Sequence, residues 1–448
     1  MSAINMAPKN PTRLGFQILN TLDHNASGPR LGRITLEGRK DLETPDFLAI
    51  TSRGVIPHMT PDVIAAHAKV PGVHFALEDF IEKSNKTTIS PILNCPGAEP
   101  PLHAFTALSR STISLLAPRR TPAVTAPNGN SNTAISVFTS TGFQPLSNKS
   151  YIDSIATLRP DIAIGLADWL AQLLADKVEE QPVFAPVLPI DYQSQWEYIN
   201  YVSDELVDEV SGLAFYDSNL LPEIPETTAM SLLPRLSLDE PSSPHHVLRQ
   251  ISLGMDIFTI PFINFATDAG IALTFEFASP ANSQSPNETG SVLPLGIDMW
   301  TAAHATSLLP LSESCKCYAC TSHHRAFIQH LLSAKEMLGW VLLQVHNHYV
   351  LSEFFTSIRK SIKEGTFEKD CEEFARKYDS ELPEKSGQGP RMRGYQYKSE
   401  GAGERKKNKA AWNNLGSDSK ATGSEVALVP DESSKELEEK GFAEKLEN

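Results

Sequence analysis

The sequence predicts an α/β fold: a (β/α)8 barrel carrying a Cys3His zinc-binding subdomain and ending in a disordered tail. Three observations predict it. Short apolar runs alternate with helical patterns over about 260 residues, the spacing of parallel crossover units. Cys315, Cys317 and Cys320 fall within six consecutive positions. From Ser386 onward the composition turns to Gly, Ser, Lys and Glu.

Strands are expected at Phe47–Thr51, Val73–Leu77, Thr112–Leu116, Ala134–Thr139, Asp161–Leu166, Val183–Val187, Leu213–Tyr216 and Asp256–Ile260, each a short apolar run bounded by turn residues. Between them, Thr60–Ala68 starts with Thr60 as N-cap and Pro61 at the first helical position, and Ser243–Leu253 does the same with Pro244. About eight such units fit a closed barrel better than an open doubly wound sheet. Barrel chemistry belongs at strand ends, so Ser140–Gln144, Asp168, Gly212 and Thr259 mark where a site is expected. The divisions read as a flexible N-terminus (1–12), a TIM-barrel domain (13–310), a zinc-binding subdomain with closing helices (311–380) and a charged tail (381–448). A polar stretch from Ser279 to Ser291 reads as an inserted loop.

Composition narrows the function classes. The 448 residues are 41% hydrophobic and 21% charged, with a net charge of −15, which argues against wrapping nucleic acid with the whole surface. The longest apolar run, Ile257–Ala266, is far shorter than the ~20 residues of a membrane span. The opening MSAINMAPKNPTRLG has no apolar core and does not read as a secretory signal. Within the tail, the basic cluster Arg405, Lys406, Lys407 and Lys409 reads as a solvated stretch, with an RNA contact as the alternative.

Three crowded thiols make a poor disulfide framework and read instead as an intracellular metal site. A fourth ligand is needed. His323 and His324 follow Cys320 too closely for good geometry, and one straight helix from His324 would carry His346 roughly 30 Å away. Ser333 followed by Glu336 resembles a capping box, which would break that helix and return the chain. Either His346 or His348 then completes a closed tetrahedral Cys3His site, with zinc the expected metal.

The motifs resemble a known family. Leu31-Gly-Arg, Thr44-Pro-Asp-Phe, Thr51-Ser-Arg-Gly-Val and Met59-Thr-Pro-Asp are similar to the opening of tRNA-guanine transglycosylases. Thr141-Gly-Phe-Gln resembles their Gly-Phe-Gln strand end, Gly212-Leu-Ala their base-binding loop, and Gly254-Met-Asp-Ile-Phe the strand bearing their nucleophile. Cys315-Lys-Cys-Tyr-Ala-Cys, Arg325-Ala-Phe-Ile-Gln-His-Leu-Leu and His346-Asn match their zinc subdomain, and the likeness spans about residues 13–365. The resemblance implies the barrel fold. It also selects His346 as fourth ligand, because the family ligand precedes Asn, which gives one structural zinc on Cys315, Cys317, Cys320 and His346.

Departures from the family pattern carry the functional expectation. Where active members place their nucleophilic aspartate this chain has Thr259, and Thr139 replaces the second family aspartate. Pro261-Phe-Ile-Asn stands in place of the Pro-Thr-Arg motif. A threonine hydroxyl without an adjacent base is a weak nucleophile and carries no charge to stabilise a cationic sugar centre. Asp168 reads as a base-recognising aspartate or a helix cap, and Asp256 as structural. The resemblance therefore implies no catalytic residues and the pattern of a non-catalytic subunit. Such a subunit pairs with a catalytic queuine tRNA-ribosyltransferase chain as a heterodimer that exchanges guanine for queuine in tRNA. It also implies a cytoplasmic location, peripheral on the mitochondrial outer membrane. Phe327, Trp340 and Tyr349 are the expected contributors to the partner interface. Two alternatives remain open: an active transglycosylase using Asp256 or Asp168, and a queuine-binding salvage protein.

Overall fold

A computed structural model describes residues 14–21, 28–81, 90–97, 99–127, 129–139, 142–176, 181–224, 228–278 and 292–390. Eight parallel strands close into a barrel: β1 (Asp46–Ile50), β2 (Gly72–Ala76), β3 (Ile113–Ala117), β4 (Ile162–Ile164), β5 (Val183–Val187), β6 (Gly212–Phe215), β7 (Arg235–Ser237) and β8 (Ile257–Thr259). Pairing runs in chain order, with β8 returning to β1 through Ile257↔Asp46, Phe258↔Phe47 and Thr259↔Leu48.

Alternation along each strand divides the core in two. Leu48, Leu115, Ile164, Phe184, Ala214, Leu236 and Ile257 form one cluster, the barrel interior. Residues of the other parity, such as Phe47, Val73, Leu116, Ala185, Leu213 and Phe258, pack outward against the helices. This is the period-2 arrangement that lets a strand bury both faces.

Seven expected strands are barrel strands. The eighth, Ala134–Thr139, instead pairs antiparallel with Gly142–Ser147 as a hairpin outside the barrel. The barrel strand in its place is β7, three residues long, preceded by Pro234 and containing Arg235 and Ser237. Its polar residues find partners inside. The Arg235 backbone N–H donates to Asp256 Oδ2 at 2.8 Å, its guanidinium donates to Gly254 O at 3.3 Å, and Ser237 Oγ donates to Gln250 Oε1 at 2.9 Å. A polar tripeptide of this kind carries no apolar run for sequence reading to find.

Leu14–Thr21, Arg30–Leu36 and Leu42–Thr44 form a three-stranded antiparallel sheet. Its Leu14, Ile34, Leu36 and Leu42 join the interior cluster, so the sheet plugs the barrel at the N-terminal ends of its strands. Arg30 pins the plug: its Nε and Nη2 donate to Asp256 Oδ1 and Oδ2 at 2.9 and 2.5 Å, and its remaining donors reach Ser231 O and Leu233 O.

Among the helices, α1 (Pro61–His67) and α2 (Pro244–Leu253) begin at the expected Thr60 and Ser243 with proline at the first position, although neither cap side chain bonds the helix. α3 (Phe262–Ala269) follows β8, and α4 (Arg325–Ser333) leads to α5 (Met337–Glu364). At 28 residues α5 is roughly 42 Å long and serves two regions. Phe355 stacks on Phe47 of β1 at 5.6 Å and meets Phe258 of β8 at 5.6 Å. Trp340, Leu342 and Leu343 belong to a separate core with Leu311, Cys317, Ala319, Ile328 and Leu332.

No helix among the described residues is long and apolar enough to cross a membrane. The expected flexible N-terminus (1–12) and the inserted stretch Ser279–Ser291 lie outside the described residues, as do residues 391–448 of the tail, with its basic cluster. Residues 381–390 are described. Leu382 packs on the main core, and Ser386 Oγ bonds Asp298 Oδ2.

Candidate functional site

The cysteine cluster assembles from two local devices. Cys317 is the N-cap of a five-residue helix, Tyr318–Ser322, and its Sγ accepts the Cys320 backbone N–H at 3.4 Å, which turns both thiols to one side. The second device is the break between α4 and α5. It falls where sequence reading put it, but it is not a capping box: Glu336 is itself the cap and makes no side-chain cap bond. Lys335 adopts φ 58°, its N–H bonds Leu332 O at 2.9 Å, and the Glu336 N–H reaches back to Leu331 O at 2.8 Å. This is a Schellman termination with lysine in the left-handed position usually held by glycine.

The return brings His346 to the thiols. Its Nδ1 stands 3.5 Å from Cys315 Sγ, 3.5 Å from Cys317 Sγ and 3.4 Å from Cys320 Sγ. Its Nε2 lies 2.8 Å from Leu273 O, and the carbonyl fixes the tautomer by accepting that proton, which leaves the Nδ1 lone pair facing the sulfurs. Asn347 completes the clamp: its Oδ1 accepts the Leu273 N–H at 2.9 Å, and its Nδ2 donates to Thr267 Oγ1 and Ile271 O. The four ligand atoms lie within 4.8 Å of one another, a group able to hold a metal ion.

The four groups are also electrostatically coupled. Hydrogen bonds from the Cys315 and Cys317 thiols push Cys320 far below its ordinary pKa, while Cys315 is pushed up by the same sharing. For His346, burial pulls the pKa down, but hydrogen bonds and charge from Cys317 and Cys320 prevail and lift it to about 9. It is the convergence of the four ligand atoms that makes the group able to hold a metal ion. His348 faces elsewhere, against Phe47 at 5.8 Å, and burial lowers its pKa to about 4. His324 caps α4 by accepting the Phe327 N–H at 3.2 Å, and His323 stacks on Phe327 at 5.1 Å.

The barrel mouth, at the C-terminal strand ends, is built differently. Thr259 ends β8 fully buried, its hydroxyl donating to Ser237 O at 3.3 Å. Thr139 is also fully buried: its hydroxyl donates to Gly142 O at 2.9 Å and accepts from Gln144 Nε2 at 2.8 Å. Ser140 and Thr141 lie outside the described residues. Asp168 sits exposed in a helical turn just beyond β4, near enough for its charge to raise the buried Tyr198 hydroxyl, after burial itself. Gly212 does not belong to the mouth. It opens β6 at the opposite end, where a Cβ would stand 2.6 Å from the Phe184 ring, so close packing requires the glycine. Asp256 lies at that far end too, 0% exposed and held by Arg30.

Sequence reading missed what spans the mouth. Arg120, in the loop after β3, donates from its backbone N–H and Nε to Glu78 Oε1, both at 2.8 Å, and from Nη2 to Phe138 O at 2.7 Å. Glu78 also accepts the Phe138 N–H at 2.7 Å, tying β2, this loop and the hairpin together. Three residues further on, the Ala123 N–H donates to Glu240 Oε1 at 2.7 Å. Glu240 follows β7, which lies diametrically opposite β3 in the closed order. Residues 118–123 therefore cross the mouth as a strap.

On the outer surface of the cysteine region, His67 of α1 stacks on Tyr318 at 4.1 Å, Tyr318 meets His323 edge-on, and His323 stacks on Phe327. Leu308 is 76% exposed, and Leu309, Met337 and Leu338 are also exposed. Trp340, expected at an interface, is instead fully buried in the local core, whereas Phe327 and Tyr349 are partly exposed.

Comparison with known proteins follows the same residues. A family model described as queuine tRNA-ribosyltransferase matches residues 24–174 and 167–380. A relative from Schizosaccharomyces pombe (strain 972 / ATCC 24843), named queuine tRNA-ribosyltransferase accessory subunit 2, is 36% identical over 83% of this chain and 86% of its own. Relatives of the same name from Xenopus laevis and Drosophila melanogaster are each 26% identical, over 80% and 75% of this chain and 99% and 87% of theirs. With the closed barrel and the Cys3His group in place, these matches establish that the chain belongs to the queuine tRNA-ribosyltransferase family.

Proposed function

We propose that this chain is the non-catalytic accessory subunit of a heterodimeric queuine tRNA-ribosyltransferase. In that role it supports exchange of guanine for queuine at wobble position 34 of tRNAs with GUN anticodons, those for Asp, Asn, His and Tyr. The carrying observation is the mouth: both positions where the family resemblance puts a carboxylate hold buried threonines bonded to local backbone, beneath a strap pinned on opposite walls. Neither family carboxylate is present, and the mouth is crossed by the strap. The alternative nucleophile Asp256 is at the wrong end and neutralised by Arg30. The names of the relatives agree with an accessory role.

Zinc is the proposed occupant of Cys315, Cys317, Cys320 and His346. Zn–S bonds of about 2.3 Å and Zn–N bonds of about 2.0–2.1 Å at tetrahedral angles place sulfur and nitrogen about 3.5 Å apart. The three S···N separations of 3.4–3.5 Å support that size. With four protein ligands the coordination sphere is full, so the metal would hold the subdomain rather than activate water.

The proposed partner surface is the outer face of this subdomain, where the His67–Tyr318–His323–Phe327 stack and the exposed Leu308, Leu309, Met337 and Leu338 lie. A permanent interface there should bury more than about 2,000 Å². Its place would be the cytoplasm, peripherally on the mitochondrial outer membrane, as the family resemblance implies. The test is to mix the chain with a catalytic homologue carrying the missing aspartate. A 1:1 heterodimer by light scattering, with queuine insertion switched on, is expected. Two separate monomers, or base exchange by this chain alone, would overturn the reading.

A further inference from the structure

The fold holds the four ligands of the cluster with unequal firmness. His346 is fully buried and tied to Leu273 O, so its imidazole cannot swing away without breaking that bond. Cys317 is buried as well, and its sulfur caps the short helix by accepting the Cys320 N–H. Cys320 lies within that helix, Tyr318–Ser322. Cys315 is partly exposed and precedes the helix, in a loop where its N–H bonds Ser312 O at 3.3 Å. Of the four, it is the one whose side chain can turn without disturbing the helix or the His346 clamp.

Cys315 also forms part of a cavity wall. A cavity of about 320 Å³ opens between residues 274–278, the loop from Ser312 to Lys316, and α5. That is large enough for a small ion with its hydration shell, since sites for whole small molecules start at ~300 Å³. Buried Phe275 and Phe354 back it with an apolar wall. Its charged groups are two carboxylates, Glu276 and Glu353, against one ammonium, Lys316. Glu276 accepts from the Ser314 hydroxyl, and Glu353 is 47% exposed with Lys69 at 3.7 Å, a solvent-screened pair of little strength. Among the described residues no second group of converging metal ligands is present, so these carboxylates draw a cation without trapping it. The thiolates next to them are the stronger donors for a soft divalent ion.

We propose that this cavity is the port through which a divalent cation reaches and leaves the cluster, with Cys315 as the ligand that opens. In an exchange, the Cys315 sulfur bonds the incoming ion as it releases the resident one, and the other three ligands transfer in turn. One divalent ion enters and one leaves, and no proton or electron is consumed. The proposal rests on the reading of Cys315, Cys317, Cys320 and His346 as metal ligands. The competing route is exchange only after the whole subdomain unfolds.

The experiment follows displacement of the resident ion by Cd²⁺ in the full-length chain. The readout is the ultraviolet absorption of cadmium–thiolate bonds, taken at about 0.1 M salt, where the Debye length is about 10 Å. The rate should rise in proportion to Cd²⁺ and not level off at an unfolding rate. Glu353→Lys should slow it about tenfold, the lower end of what local charge does to the entry of an ion. Glu364→Lys makes the same charge change on the exposed surface of α5, about 16 Å further along, and should leave the rate unchanged. Ser357→Trp, which fills the cavity from α5, should slow exchange while the starting metal content stays at the wild-type level. Ser312→Trp fills it from the other wall if Ser357→Trp does not fold. A rate independent of Cd²⁺, equal slowing by Glu353→Lys and Glu364→Lys, or wild-type exchange in the filled variant would each overturn the port. Elemental analysis of the purified chain is read first. Absence of metal sinks the zinc reading, while the rate at which the free thiols capture Cd²⁺ in the same variants still decides the port. Failure to take up any Cd²⁺ overturns both.

Discussion

In this chain the cysteine cluster and the barrel mouth are built on opposite principles. Around His346, three sulfurs and one imidazole nitrogen converge within 4.8 Å of one another, a group able to hold a metal ion. At the mouth, the side chains at the two family positions and in the strap already have partners within the protein: Thr259 on Ser237, Thr139 on Gly142, Arg120 on Glu78. Convergent metal-type ligand atoms point to an ion, whereas locally satisfied hydroxyls point to packing. Two regions under one fold have therefore been put to different uses, and each can be challenged separately.

The largest effect is expected from the cluster. Structural zinc of this kind is worth ~10–16 kcal/mol of apparent binding energy, so Cys317→Ser should abolish metal binding and unfold the small core around Trp340. Elemental analysis and limited proteolysis of the variant check it. A variant that keeps its metal content and protease resistance would show that the donors, for all their convergence, are only packed thiols.

Next in size is the far end of the barrel, which tests whether Asp256 is scaffold or chemistry. Asp256→Asn leaves the Arg30 guanidinium buried without its counter-charge, and breaking such a pair costs about 3–5 kcal/mol. Urea unfolding should show the midpoint falling while the metal content stays put. A loss below about 1 kcal/mol would reopen the displaced-nucleophile reading, because a catalytic carboxylate is not required for stability.

A somewhat smaller effect lies inside the barrel. His74 on β2 is buried with neither ring nitrogen bonded, and burial lowers its pKa from 6.5 to about 4. Between those values the unfolded chain binds a proton that the folded chain refuses, so stability present at neutral pH is lost as pH falls through this window. The shift corresponds to about 3 kcal/mol. His74→Leu should flatten the pH dependence of urea midpoints between pH 6.5 and 4. An unchanged slope would mean that His74 finds a proton acceptor or water in solution.

How much of this was legible in the sequence depended on whether a feature is local. The thiol spacing, the helix break before His346 and seven barrel strands are written in short windows of residues. The strap is not, because Ala123 and Glu240 are 117 positions apart and meet only once the barrel closes. β7 was invisible for a related reason: Arg235 and Ser237 read as surface residues until Gly254 O and Gln250 meet their side chains from later segments. Gly212 was placed at the wrong end because its motif fixes a strand but not which end of that strand faces the site. The capping box failed because Ser333 is still the last residue of α4 and the Schellman turn at Lys335 moves the start of α5 on to Glu336.

The smallest expected effect is none, and it bears most directly on the mouth. Thr259→Asp restores the family's nucleophilic side chain at the end of β8, and it should restore no base exchange. Catalytic groups act as a unit, so one carboxylate without its partner at Thr139 recovers little. The strap is a second and independent obstacle, held by Arg120 on one wall and Glu240 on the other. Both attachments of the strap end on carboxylates, Glu240 on one wall and Glu78 with Asp79 around Arg120 on the other, and burial raises the pKa of Glu240 and of Asp79. Thr259→Asp is therefore assayed near neutral pH, where both attachments hold. Burying the introduced carboxylate will cost stability, so Thr259→Asn serves as a control of similar shape and no charge. Both variants should fold by circular dichroism and pair with the catalytic homologue as wild type does, with no exchange by either alone. If the folded Thr259→Asp variant alone exchanges labelled guanine and the Thr259→Asn variant does not, the mouth is an enzyme missing one atom group, and the contrast with the cysteine cluster fails.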